Sequence, residues 1–183
     1  TIAAGQSFAI ANVFAPIEAS DADWPTPNGK KQKAALELVA EAMIHGRLVR
    51  RRLGSLGNLA LKGRPDAILE IQPTGSRQAE TTTDDQLHLR IRRGETITAM
   101  VNVKRKPDFV KEIPLGKEFA CRNAPFGVYV DNIGLNGLLV RRGESKREFS
   151  LTADEHAELG TRHIHLMAAG GLTSAPVALT VSP

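Results

Sequence analysis

Cysteine, aromatic side chains and long apolar runs are scarce or missing in this sequence. The single thiol, Cys121, excludes an internal disulfide. A domain of this size can fold without one, and a lone Cys in a strand or loop reads as a small core residue rather than a nucleophile. Aromatics make up 4% of the 183 residues, with one Trp and one Tyr. That argues against a stacking platform for sugars or single-stranded nucleic acid, which works through aromatic faces. Nowhere is there an apolar run of roughly 18 residues, so no membrane span is expected. Neither is there a basic stretch leading into an apolar one, and the chain opens on Thr1. The expectation is therefore a processed or excised part of a longer protein. G-x-S-x-G, H-E-x-x-H, C-x-x-C and P-loop patterns are missing too. No catalytic residue and no cofactor is assigned, and a non-enzyme is expected.

Apolar residues make up 42%, enough for a packed core and too many for a disordered chain. The net charge of +4 permits a polyanionic partner without requiring one. The second half alternates clearly. Residues 87–92 place Leu87, Leu89 and Ile91 on one face, and residues 96–105 place Ile97, Ala99, Val101 and Val103 on one face. Arg93-Gly94-Glu95 separates them as a turn. Further strands are expected at 110–114, 126–130, 138–140, 147–151, 162–168 and 176–181, with Phe149 and Leu151 pointing inward. Short strands parted by turns such as Arg142-Gly143-Glu144 predict an antiparallel β-sandwich. One helical turn is expected within it, from a capping box at Thr152-Ala153-Asp154-Glu155 to Gly160.

The first half is mixed. Residues 1–13 read as two strands about a Gly turn, and 20–29 as an Asp- and Pro-rich loop. Over 30–44 the period changes: Leu36, Val39, Ala40 and Met43 fall on one helix face, with Lys33 and Glu37 spaced for an ion pair. An amphipathic helix packed on its own domain is predicted there. Strands return at 47–51 and 67–71. Residues 2–13 can be laid on 91–103, and the strand ending at Pro73 on the one ending at Pro183. This predicts two tandem β-domains, the smaller at 1–74 and the larger at 86–183, joined by a polar linker at 75–85.

From Gly116 to Ala153 the sequence runs GKEFACRNAPFGVYVDNIGLNGLLVRRGESKREFSLTA. Upstream is the G-E-T-I hairpin at 94–97. Downstream, from Leu151 to Val181, is the pattern L-T-A…G-T…I-x-L…P-V-x-L-x-V. This half of the chain resembles a recurrent C-terminal segment of large secreted planctomycete proteins, in which immunoglobulin-like or pre-peptidase-type β-sandwich modules follow one another. The resemblance implies an immunoglobulin-like sandwich, export to the cell surface or beyond, and a structural or adhesive role. It carries over no catalytic residue, and it does not cover residues 14–66 well.

Three groups of residues remain as candidates. His163 and His165 share one strand face and could hold a metal if further ligands joined them. Alternating with Ile164 and Leu166, they read first as solvent-facing, as does His88. Asp131, Asn132 and Asn136, with nearby glycines, offer oxygen ligands for calcium. They lack an acid to close the loop, and an Asx-stabilised turn accounts for the same residues. The stretch 46–65 carries Arg47, Arg50, Arg51, Arg52, Lys62 and Arg64 and no acid. Guanidinium groups grip phosphate and carboxylate, so this ribbon is the polyanion-binding candidate. The leading expectation is a non-catalytic module for assembly, adhesion or spacing, whose partners are other protein domains, copies of itself, or an acidic protein or glycan. Nucleic acid is the less favoured partner. The alternatives are a polyanion-binding protein and an accessory domain of an extracellular hydrolase.

Overall fold

The computed structural model describes residues 34–59, 65–74, 79–81, 87–116, 120–131 and 137–183. They fall into two compact units, parted between Arg64 and Pro65. Strand expectations at 1–13 and the loop at 20–29 lie outside the described residues.

The described part of the first unit is one long hairpin. Strand β1 (Ala34–Ile44) runs antiparallel to β2 (Arg47–Leu59). The predicted helix over 30–44 is therefore corrected: residues 34–44 are strand, and 30–33 lie outside the described residues. The error has a physical source. Ala, Leu, Glu and Met favour helix intrinsically, and apolar residues are dense enough here to satisfy either period. Read at period two, Leu38, Ala40, Ala42 and Ile44 line one face of β1 just as well. The partner strand decides between them. His45 and Gly46 both take positive φ (47° and 76°) between the paired Ile44 and Arg47. Two such residues make the tight turn whose twist suits a two-residue hairpin. Glu37, expected to pair with Lys33 along a helix, instead bonds Arg52 across the hairpin.

The second unit is a β-sandwich-like stack of two sheets. The first sheet has the order β3 (Ala67–Pro73), β6 (Thr96–Arg105), β11 (Lys146–Ala153), β9 (Val128–Asp131). The second has the order β4 (Ala79–Thr81), β5 (Leu87–Arg92), β13 (Val177–Ser182), β12 (Gly160–Leu166), β8 (Cys121–Arg122). Strands β7 (Ile113–Gly116) and β10 (Leu138–Val140) pair with each other. Among the described residues the strand pairings are antiparallel except β5 with β13. The expected domain boundary is not where the structure divides: β3, assigned to a first domain ending at residue 74, pairs along its length with β6. Part of the expected linker is also strand, since Ala79–Thr81 pairs with β5.

Period-two burial builds the core. Ile97, Ala99, Val101 and Val103 of β6 are buried, as are Phe149, Leu151 and Ala153 of β11. The register sets Phe149 opposite Ala99, a large side chain against a small one, and Leu151 opposite Ile97. Leu89, Ile91, Ile164, Leu166, Leu179 and Val181 supply the facing sheet. Each fully buried Leu or Ile contributes roughly 1.5–3 kcal/mol. Three strands begin later than expected: β7 at Ile113, β9 at Val128 and, by one residue, β13 at Val177. Phe126, placed in a strand by its sequence, sits on a turn and is 77% exposed.

The turns also have local causes. Arg92–Glu95 and Arg141–Glu144 are the same tetrapeptide, Arg-Arg-Gly-Glu, and close the same way. The amide of the Glu donates to the first Arg's carbonyl, and the Glu carboxylate accepts from that Arg's own amide at 2.9 and 2.8 Å. The expected capping box is absent. Thr152 is still in β11, its hydroxyl 2.9 Å from that of Thr96. Asp154 instead accepts from the His156 amide at 2.7 Å, an Asx turn in place of a helix start. This corner abuts Gly127, whose φ is 76°. A Cβ there would meet Ala157 Cα at 2.8 Å and the Asp154 carboxylate at 2.8 Å. Glycine is required by space as well as by backbone conformation.

Truncating Phe149 to Ala removes a ring from a site 4% exposed and is expected to cost about 3–5 kcal/mol in chemical denaturation. Phe126→Ala, at an exposed site, is expected to change stability by less than about 0.5 kcal/mol. Equal costs would put the ring of Phe149 outside the core.

Candidate functional site

The β1–β2 arm carries all the described residues of the candidate polyanion-binding ribbon. Lys62 and Arg64 lie outside the described residues. Arg47, Arg50, Arg51 and Arg52 all stand on β2, and strand alternation splits them between two faces. Arg50 is opposite Glu41, and Arg52 is opposite Val39 with Glu37 close by. Both pairs are formed, Arg50 with Glu41 and Arg52 with Glu37. On the other face Arg47 stands opposite Ile44 and Arg51 opposite Ala40. That face, with Leu38, Ala42 and Val49, has no acid among the described residues between 37 and 52. The ribbon is therefore half neutralised on one side and left cationic on the other.

The arm is also apolar at its surface. Met43 is 67% exposed, and Leu48 beside it and Leu53 are each 62% exposed. Sequence reasoning missed this, because a helix at 30–44 was expected to bury its apolar face on its own domain. The signal was available. His45-Gly46 sits between two apolar runs, and Glu41 and Arg50 stand equally far from it, as cross-strand partners should.

The sandwich holds the other candidates. His163 and His165 do share the outward face of β12, between buried Ile164 and Leu166. Burial, then the nearby Arg122 guanidinium, hold the His165 imidazole below its ordinary value. His88 Nε2 lies 2.7 Å from the Thr180 hydroxyl, itself 2.6 Å from that of Thr161. No cluster of three or more His, Cys, Asp or Glu suited to a metal occurs among the described residues. For calcium, Asp131 closes β9 with its backbone opposite Ser150, while Asn132 and Asn136 lie outside the described residues. Cys121 pairs through its backbone with Leu166. Burial pushes its thiol from the ordinary 9.0 up to about 12.

Two outcomes follow. The Cys121 thiolate is scarce in the folded chain at mildly alkaline pH, so alkylation is expected to run about a thousand-fold slower than in the denatured chain. Because the folded value lies above the unfolded one, the thiol's contribution to stability is complete below pH 9 and falls away as pH rises toward 12. Fast alkylation of native protein would contradict the burial. For the arm, Arg50 and Glu41 are exposed, with side chains 70% and 43% accessible. Arg50→Ala is expected to shift the melting free energy by under about 0.5 kcal/mol; a larger loss would mean that the pair belongs to a structural network.

No protein-family model matches this chain, and no curated protein matches it in sequence.

Proposed function

We propose that this chain is a non-catalytic structural or binding module of a secreted or cell-surface protein, working in assembly, adhesion or spacing. The observation that carries the reading is the exposed arm. Apolar side chains set in contiguous exposed positions mark contact surfaces, and a lone two-stranded hairpin is marginal in water without something to pack against. Among the described residues the arm is thus the part with most to gain from a partner.

The immunoglobulin-like assignment has support in the strand order. With β4, β5, β7 and β10 set aside, the strands β3, β6, β8, β9, β11, β12 and β13, named A to G in chain order, fall as A-B-E-D in one sheet and as C-F-G within the other. The order of these seven matches that of an immunoglobulin constant-type sandwich, which supports the reading. Kinship with the secreted planctomycete modules rests on the segment at 116–153, which runs from the end of β7 through β11. In a sandwich of this kind the work is contact and spacing, and export follows from the same kinship.

A second reading, polyanion binding, is favoured by one observation: Arg47 and Arg51 share a face with no acid beside them among the described residues. Phosphate- or sulfate-bearing partners would be held there by charge.

The test uses the whole chain against immobilised heparin and against itself, with Met43→Asp/Leu48→Asp as the variant. Both sites are exposed, so melting of the sandwich is expected to be unchanged while contact is lost. Undiminished contact in that variant would move the surface off the arm. Heparin retention that falls steeply with salt, without self-contact, would favour the polyanion reading.

A further inference from the structure

The arm segregates its charges by strand. Residues 34–44 hold Glu37 and Glu41 and no base, and residues 47–59 hold Arg47, Arg50, Arg51 and Arg52 and no acid. Among the described residues the two strands pair only with each other, so each has one edge whose backbone donors and acceptors no other described strand takes up. One edge is acidic and the other basic. We infer that the occupant of these edges is a second copy of this chain, β2 of one arm pairing antiparallel with β1 of the next. The inference rests on reading the arm as the contact surface.

Charge selects this pairing over the alternatives. Laying β1 against β1 would set Glu37 and Glu41 near their own kind, and β2 against β2 would bring eight arginines together. Like charges across a strand pair are destabilising, and opposite ones stabilise. Only the unlike edges match, and matching them repeats the contacts already made within one arm. Each of Glu37 and Glu41 then lies between two arginines, its own and the neighbour's. The register from Val39 to Ile44 against Arg47 to Arg52 is free of irregularity; the shifts fall farther from the turn. A stretch of six uninterrupted pairs is therefore ready to be copied.

The geometry has a consequence for assembly. An acidic edge meeting a basic one is a head-to-tail contact, in which each copy keeps one unused edge of each sign. Such contacts build open arrays unless a rotation closes them into a ring. The arms would then add as a continuous antiparallel sheet, in the way that exposed edges recruit strands generally.

Sedimentation velocity on the whole chain over a concentration series tests this. Wild type is expected to self-associate, less so at high salt. Arg50→Glu/Arg52→Glu leaves both edges acidic at the paired positions, and Glu37→Arg/Glu41→Arg leaves both basic. Each is expected to weaken association at least about tenfold. The four substitutions combined reverse the signs and restore unlike edges, so association is expected within about threefold of wild type. Recovery in the combined variant shows that the losses came from charge and not from an unfolded arm. Doubles that associate like wild type would overturn the proposal, as would a combined variant that stays monomeric with its strand content intact. A wild-type chain monomeric throughout, yet held by heparin through the arm, would also overturn the second-copy pairing while leaving the arm as the contact surface.

Discussion

Strand β6 is the element on which the sandwich depends. It pairs on both sides, with β3 from Arg105 to Ala99 and with β11 from Asn102 to Thr96. Its alternate residues, Ile97, Ala99, Val101 and Val103, are buried. A slip of one residue would turn all four outward and bring Thr96, Thr98, Met100 and Asn102 into the core. The burial therefore fixes the register, and the register fixes which residues of β3 and β11 face inward. Ala99 leaves room for Phe149, and Val103 meets Leu69. The two Arg-Arg-Gly-Glu turns stand where this ordering begins and ends. One feeds the chain from β5 into β6, and the other delivers it to β11.

What could be read from the sequence follows the same logic. Strands buried on one face with polar residues between them announce themselves, so β5, β6, β10 and β11 were legible to the residue or nearly so. Phe126 misled because a large apolar residue beside Val128 and Val130 extends the alternation on paper. Gly127 breaks it in space, with a positive φ and no room for a Cβ. Thr152 misled because a capping box is local, while the hydroxyl was claimed by Thr96 across the sheet. In both cases a contact far along the chain overrode a short pattern.

At the arm the conflict is deeper. Local propensity favours helix over 34–44, and period alone does not choose. The choice comes from β2, through the turn at His45-Gly46 and the pairs Glu41–Arg50 and Glu37–Arg52. The cationic ribbon was legible as charge, but the division of its described part between faces was not, because that needs the strand assignment first. Once β2 is a strand, Arg50 and Arg52 must lie on one face and Arg47 and Arg51 on the other.

The arm's exposure and its charge order are two sides of one constraint. A hairpin that buries little of its own surface gains little from the hydrophobic effect, so cross-strand pairs and backbone bonds carry a larger share of its stability. Pairs between exposed charges are weak one by one, and an arm held by them alone is poised near unfolding. Adding a third strand at either edge supplies the missing backbone bonds and a second set of ion pairs at once. It also brings neighbouring Met43 and Leu48 side chains together and removes part of their surface from water. The gain grows with the number of arms joined, since inner arms are paired on both edges and outer ones on only one. Contact and order would therefore strengthen each other along the array.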